Sequence, residues 1–73
     1  MEFMRAFGNI IIIDQETAYT YRLEPVCIFG YSGWQLVNNK GDYEDIISSE
    51  LGPSYAIRPA MKMACRRLRE MRH

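Results

Sequence analysis

The chain has 73 residues, 48% of them hydrophobic, and nine basic residues against nine acidic ones, so its formal net charge is zero. That length predicts a single domain, residues 1–73, with a small core, and the apolar content with five Tyr, three Phe and one Trp excludes a disordered chain. The charge is unevenly divided, because residues 1–57 carry eight acids and three bases while residues 58–73 carry six bases and one acid.

Met1 to Gly8 mixes Phe3, Met4 and Phe7 with Glu2 and Arg5, and reads as a strand extension or a frayed end. Ile10 to Ile13 is an unbroken β-branched run, as expected of a strand buried on both faces. Asp14-Gln15-Glu16 is a polar break suited to a solvated turn. Thr17 to Leu23 then alternates, with Thr17, Tyr19, Tyr21 and Leu23 on one face, which is the period of a strand. Pro25 interrupts it. Val26 to Tyr31 and Trp34 to Asn38 read as two further strands, with a hairpin turn at Ser32-Gly33.

Asp42 to Gly52 reads as a short helix, and less well as a strand. Asp42 would cap it, Glu44 and Asp45 would sit in its first turn, and Gly52 would end it. Pro59 suits the first position of a C-terminal helix that leaves Arg58 outside. In that helix Ile57, Met61, Ala64, Leu68 and Met71 recur at three- and four-residue steps with Cys65 beside them, and form the core-facing stripe. Met63 lies off the stripe. The predicted fold is α+β: a small antiparallel sheet of three to four strands packed against a C-terminal helix, with a short helix before it.

Few groups could carry catalysis. His73 is the only histidine and stands at the last position. Gly30-Tyr31-Ser32-Gly33 has Trp34 where a nucleophile elbow needs glycine. There is no phosphate-cradling glycine loop and no twelve-residue calcium loop around Asp42, Glu44 and Asp45. We therefore expect no enzyme, no cofactor and no metal. Cys27 and Cys65 lack a CxxC or Cys/His pattern and read as buried thiols of a reducing compartment. With neither a signal peptide nor an apolar run of about 20 residues, a soluble cytoplasmic protein with no membrane partner is expected.

Binding is the remaining class. Lys62, Arg66, Arg69 and His73 recur on one side of the last helix, with Arg67 and Arg72 nearby. Their natural counterparts are the acids Asp42, Glu44 and Asp45, on the same molecule or on a partner. Tyr31 and Trp34 are candidate aromatic anchors. These features suggest a small non-enzymatic protein-binding module, an inhibitor or adaptor of the kind phages encode, acting on a nucleic-acid-handling protein and forming a homodimer. An acidic patch such as Asp42 to Glu50 can occupy a partner's phosphate-binding groove. The alternative is a nucleic-acid binder that uses the basic helix, although zero net charge argues against it.

Overall fold

A computed structural model describes residues 1–72. The elements are β1 (Glu2–Ala6), β2 (Asn9–Ile13), β3 (Thr20–Ile28), β4 (Tyr31–Val37), β5 (Tyr43–Ser49) and α1 (Pro53–Glu70). The strands form one antiparallel meander in the order β1-β2-β3-β4-β5. The helix returns over one face of the sheet, above β3, β4 and β5.

The architecture corrects the predicted count. There are five strands rather than three to four, and no helix precedes α1. Met1 to Gly8 supplies the extra strand at the start. Asp42 to Gly52 supplies the one at the end, where acids that resemble the first turn of a helix belong to β5. Opposite Leu36 of β4, β5 carries both Glu44 and Asp45, since Val37 pairs with Tyr43 and Gln35 with Ile46. This bulge destroys the period of two by which the sequence would have announced a strand.

Two turns also differ from expectation. The hairpin between β3 and β4 turns at Phe29-Gly30, not at Ser32-Gly33, with φ of 49° and 81°. Both central residues of such a tight turn have positive φ, which suits glycine and strains phenylalanine. Gly33 instead lies inside β4, where a Cβ would collide with the Ile47 carbonyl oxygen and the Ser48 Cα. It is there to let β5 approach. Pro25 does not end a strand, because β3 runs through it. Beyond Leu23 the β2 flank of β3 is unpaired and only β4 adjoins it, so a missing N–H there is tolerated.

The helix begins six residues before the predicted start. Gly52 takes the N-cap position, Pro53 the first turn, and Pro59 lies inside. An internal proline costs roughly 3 kcal/mol in an isolated helix. Here packing outweighs that cost. Ala56, Ala60 and Ala64, one turn apart, are fully buried and bring the helix close to the sheet, with Cys65 and Leu68 beside them. Met61 and Met71 of the predicted stripe are only partly buried, as is Met63. The sheet answers with Ile10, Ile12, Tyr21, Leu23, Trp34 and Leu36.

The opposite ends of the chain meet at Asp14. Its side chain is fully buried and accepts hydrogen bonds from Arg72 Nε (2.7 Å), Arg72 Nη2 (3.0 Å) and the Glu16 amide (3.0 Å). The turn expected to be solvated is therefore the socket in which the helix C-terminus is fixed. The Arg72 hydrogen bond holds the Asp14 carboxyl down at about 2, against the opposing effect of burial. Both cysteines are free, and Cys27 is exposed rather than buried. No helix among the described residues is long and apolar enough to cross a membrane.

Candidate partner-binding site

Because α1 lies over β3 to β5, the inner side of β1 is left open beside the helix. A groove of about 850 Å³ runs there, between Phe3 of β1 and the near side of α1. Its apolar lining comes from Phe3, Pro59, Met61, Met63 and Cys65, and its basic lining from Arg58, Lys62, Arg66 and Arg69. A smaller hollow of about 180 Å³ shares Phe3 and Met61 with it and adds Met4, Arg5, Ile10 and Ile57. No acidic residue lines either one.

The geometry follows from two periodicities. Phe3 is paired with Ile12, a core residue, so its ring points to the helix side of the sheet. Arg58, Lys62, Arg66 and Arg69 follow at steps of four, four and three, which keeps them on one edge of a helix. At about 1.5 Å per residue they extend over about 16 Å. Three predicted site residues, Lys62, Arg66 and Arg69, are thus brought together in one groove.

These cations are poorly neutralised. Among the described residues, Arg58, Lys62 and Arg69 make no salt bridge within 4.0 Å, and Arg66 reaches Glu70 only at 3.7 Å between two exposed side chains. The expected acidic counterparts are engaged elsewhere. Glu44 and Asp45 both bind Arg67, on another side of the helix, with Arg67 Nη1 2.7 Å from Glu44 Oε1 and Nη2 on Asp45. The bulge in β5 makes this double contact feasible, since adjacent residues of a regular strand point to opposite faces.

Glu44 is further held by Tyr21 Oη (2.6 Å) and Asn38 Nδ2 (2.9 Å). Desolvation pushes the Glu44 carboxyl upward, but the donors Tyr21, Asn38 and Arg67 overcome it and the net value is lowered. The reciprocal effect raises Tyr21 to about 12, through desolvation first and the Glu44 carboxylate second. This network fastens β5 to the helix. Asp42 stands apart from it, exposed in the loop before β5, where its amide donates to Asn38 Oδ1.

The two aromatic candidates separate. Trp34 is buried and its indole N–H donates to the Pro53 carbonyl at 3.0 Å, so it anchors the helix start. Tyr31 is 42% exposed and its hydroxyl donates to Glu50. His73 lies outside the described residues. Sequence reasoning missed Phe3 as a groove wall and Arg67 as the cation that binds the acids. Among the described residues no group of three or more His, Cys, Asp or Glu side chains could hold a metal ion.

No family model matches the chain, and no curated protein or solved structure is significantly similar to it.

Proposed function

We propose that the chain is a non-enzymatic protein-binding module, an adaptor or inhibitor, whose groove takes an acidic amphipathic segment of its partner. One observation carries this reading: a row of cations, of which Arg58, Lys62 and Arg69 have no salt-bridge partner among the described residues, borders an apolar floor. Apolar side chains of the ligand would cover Phe3, Met61 and Met63, while its carboxylates face Lys62, Arg66 and Arg69. Methionine adapts its shape to varied partners, which suits such a floor. Interfacial charge pairs of this kind set orientation and encounter rate more than raw affinity.

Nucleic acid would use the same cations. It is the weaker reading, because Phe3 is the one aromatic side chain in the groove and stacking on aromatics is what holds single strands. The acidic strand β5 supports phosphate mimicry poorly, since Glu44 and Asp45 are occupied by Arg67.

Fluorescence anisotropy separates these readings. The probes are a labelled amphipathic peptide of roughly 12 residues, long enough to follow the cation row, with Glu on one face and Leu on the other, and a labelled oligothymidine of similar length. The peptide is expected to bind. Charge reversal at Lys62, Arg66 and Arg69 together should weaken it by about threefold to a hundredfold, from roughly 0.2–1 kcal/mol for each of the rim pairs. Equal binding of the peptide by the charge-reversed protein, or tighter binding of the oligonucleotide than of the peptide, would overturn the proposal.

A further inference from the structure

The second feature is the sheet face opposite the helix, which no element covers. Side chains alternate, so the residues on that face can be read from the strand register. One row runs Met4, Ile11, Arg22, Val37, Tyr43 across all five strands, and Ile13 and Ile46 lie on the same face. In a sheet with one solvated face the outward positions are normally polar. Here they are mostly apolar. Met4, Ile46 and Tyr43 are 43, 41 and 61% exposed, and Ile11 and Ile13 are half-buried, while Val37 in the same row is already fully buried by its neighbours in this chain.

The four isoleucines state the problem most plainly. Ile10 and Ile12 are buried in the core on the helix side, whereas Ile11 and Ile13 on the other face are only half-buried. A continuous β-branched run suits a strand covered on both sides, and one chain covers it on one side only. The central charges on this face do not oppose burial. Arg22 and Glu24 form a 2.7 Å ion pair within β3, so covering them leaves no lone charge, and Glu2 lies on the edge strand β1, where it accepts from Gln15 and can stay at the solvated rim.

We propose that this open face is the interface of a two-fold homodimer, in which two sheets pack face to face with their helices outermost. A second copy fits because the face is self-complementary in character: its middle carries Ile11, Ile13, Val26 and Ile46 beside an ion pair that is already neutral, while the polar Glu2 and Ser48 sit on the two edge strands where a rim can stay solvated. Such a contact is isologous and closes at two subunits, and aligned sheets pack about 10 Å apart at about −30°. Five strands at about 4.8 Å spacing and about 20 Å of strand length give roughly 500 Å² of flat area per protomer. A standard interface takes about 800 Å² of accessible surface per partner, so the dimer must use the whole corrugated face rather than a corner of it. The inference is independent of the groove, which lies on the helix side and remains open in this dimer.

Sedimentation equilibrium of the full chain up to a few hundred micromolar tests it. The expected result is a reversible dimer of twice the 8.6 kDa chain. Ile46→Lys and Tyr43→Lys replace exposed side chains and leave the monomer fold intact, and each should weaken association by about tenfold or more, equivalent to at least about 1.4 kcal/mol. A measurement on the unaltered protein complements them. On dilution, the methyl resonances of Ile11, Ile13 and Ile46 should shift with the dimer fraction while those of Ile10 and Ile12 stay fixed. A monomer at every concentration overturns the inference. So does a dimer that both lysine variants leave unweakened, or one whose dilution shifts fall on the helix side of the sheet.

Discussion

Replacing Arg67 with methionine keeps its aliphatic stem against the helix but removes the guanidinium that Glu44 and Asp45 share. The Arg67 and Glu44 side chains are each 26% exposed, and Asp45 is 49% exposed. A hydrogen bond to a charged group contributes about 1.5–3 kcal/mol when well buried, and a quarter exposure with solvent screening brings the loss to about 1–2 kcal/mol. For a chain of this size that is a fall in Tm of about 4–16 °C. The informative assay is a double-mutant cycle of Arg67→Met with Glu44→Gln, followed by urea denaturation.

At neutral pH the cycle should show a coupling of about 1 kcal/mol, within the range seen for residues in one network. The coupling must also depend on pH in a fixed sense. The folded-state value of Glu44 is lowered below 4.5, so its contribution to stability is complete above that pH. It is lost as pH falls through the folded value. Coupling that fades on acidification fits the account. Additive single mutants at pH 7, or a coupling unchanged below the carboxylate range, would refute the claim that this network fastens β5 to the helix.

Other consequences are open to direct measurement. Gly33→Ala should destabilise the fold by about 1–3 kcal/mol in urea denaturation, because its methyl meets β5 backbone that can move only by parting from β4; unchanged stability would contradict the close approach. Phe29→Asn should raise stability by about 1 kcal/mol, since asparagine accepts the left-handed turn position that strains phenylalanine. Asp14→Asn should lower stability at neutral pH and converge with the unaltered protein near pH 2. The contribution of Asp14, held at about 2 by Arg72 and Glu16, is complete above its ordinary 3.8 and disappears as pH falls from there to about 2. Acid denaturation curves that stay parallel through that window would count against the pairing of buried Asp14 with Arg72.

Part of this molecule can be read from its residues and part cannot. The alternation of Tyr21 and Leu23 and the steps from Ala64 to Leu68 report real elements, because each reflects one period and one buried side. The isoleucine run marks a real strand too, but the burial expected on both faces holds only on the side of Ile10 and Ile12, with Ile11 and Ile13 half-buried. The cation row of Lys62, Arg66 and Arg69 is legible for the same reason, and it does reach a single groove. Strand β5 is not legible. Its acids satisfy the rule for a helix start equally well, and its bulge removes the alternation that would have decided the matter. Pro59 misleads in a similar way, since local preference places it at a helix start while the buried Ala56 and Ala60 carry the helix past it. Phe3 gives no signal because an edge strand of five residues has too little pattern, and its role depends on where a distant helix lies. The pairing of Arg67 with Glu44 and Asp45 is a tertiary fact, hidden until the bulge turns both carboxylates the same way.

The central claim concerns the groove, and mapping the ligand onto the protein tests it most directly. The acidic amphipathic peptide is titrated into protein with labelled methyl groups while the Met and Ile resonances and the Phe3 ring are followed. The account predicts saturable shifts at Met61, Met63 and Phe3, with Ile11, Ile13 and Ile46 unmoved. Saturable shifts confined to the open sheet face, or the absence of shifts at Met61, Met63 and Phe3 while the peptide binds, would contradict it.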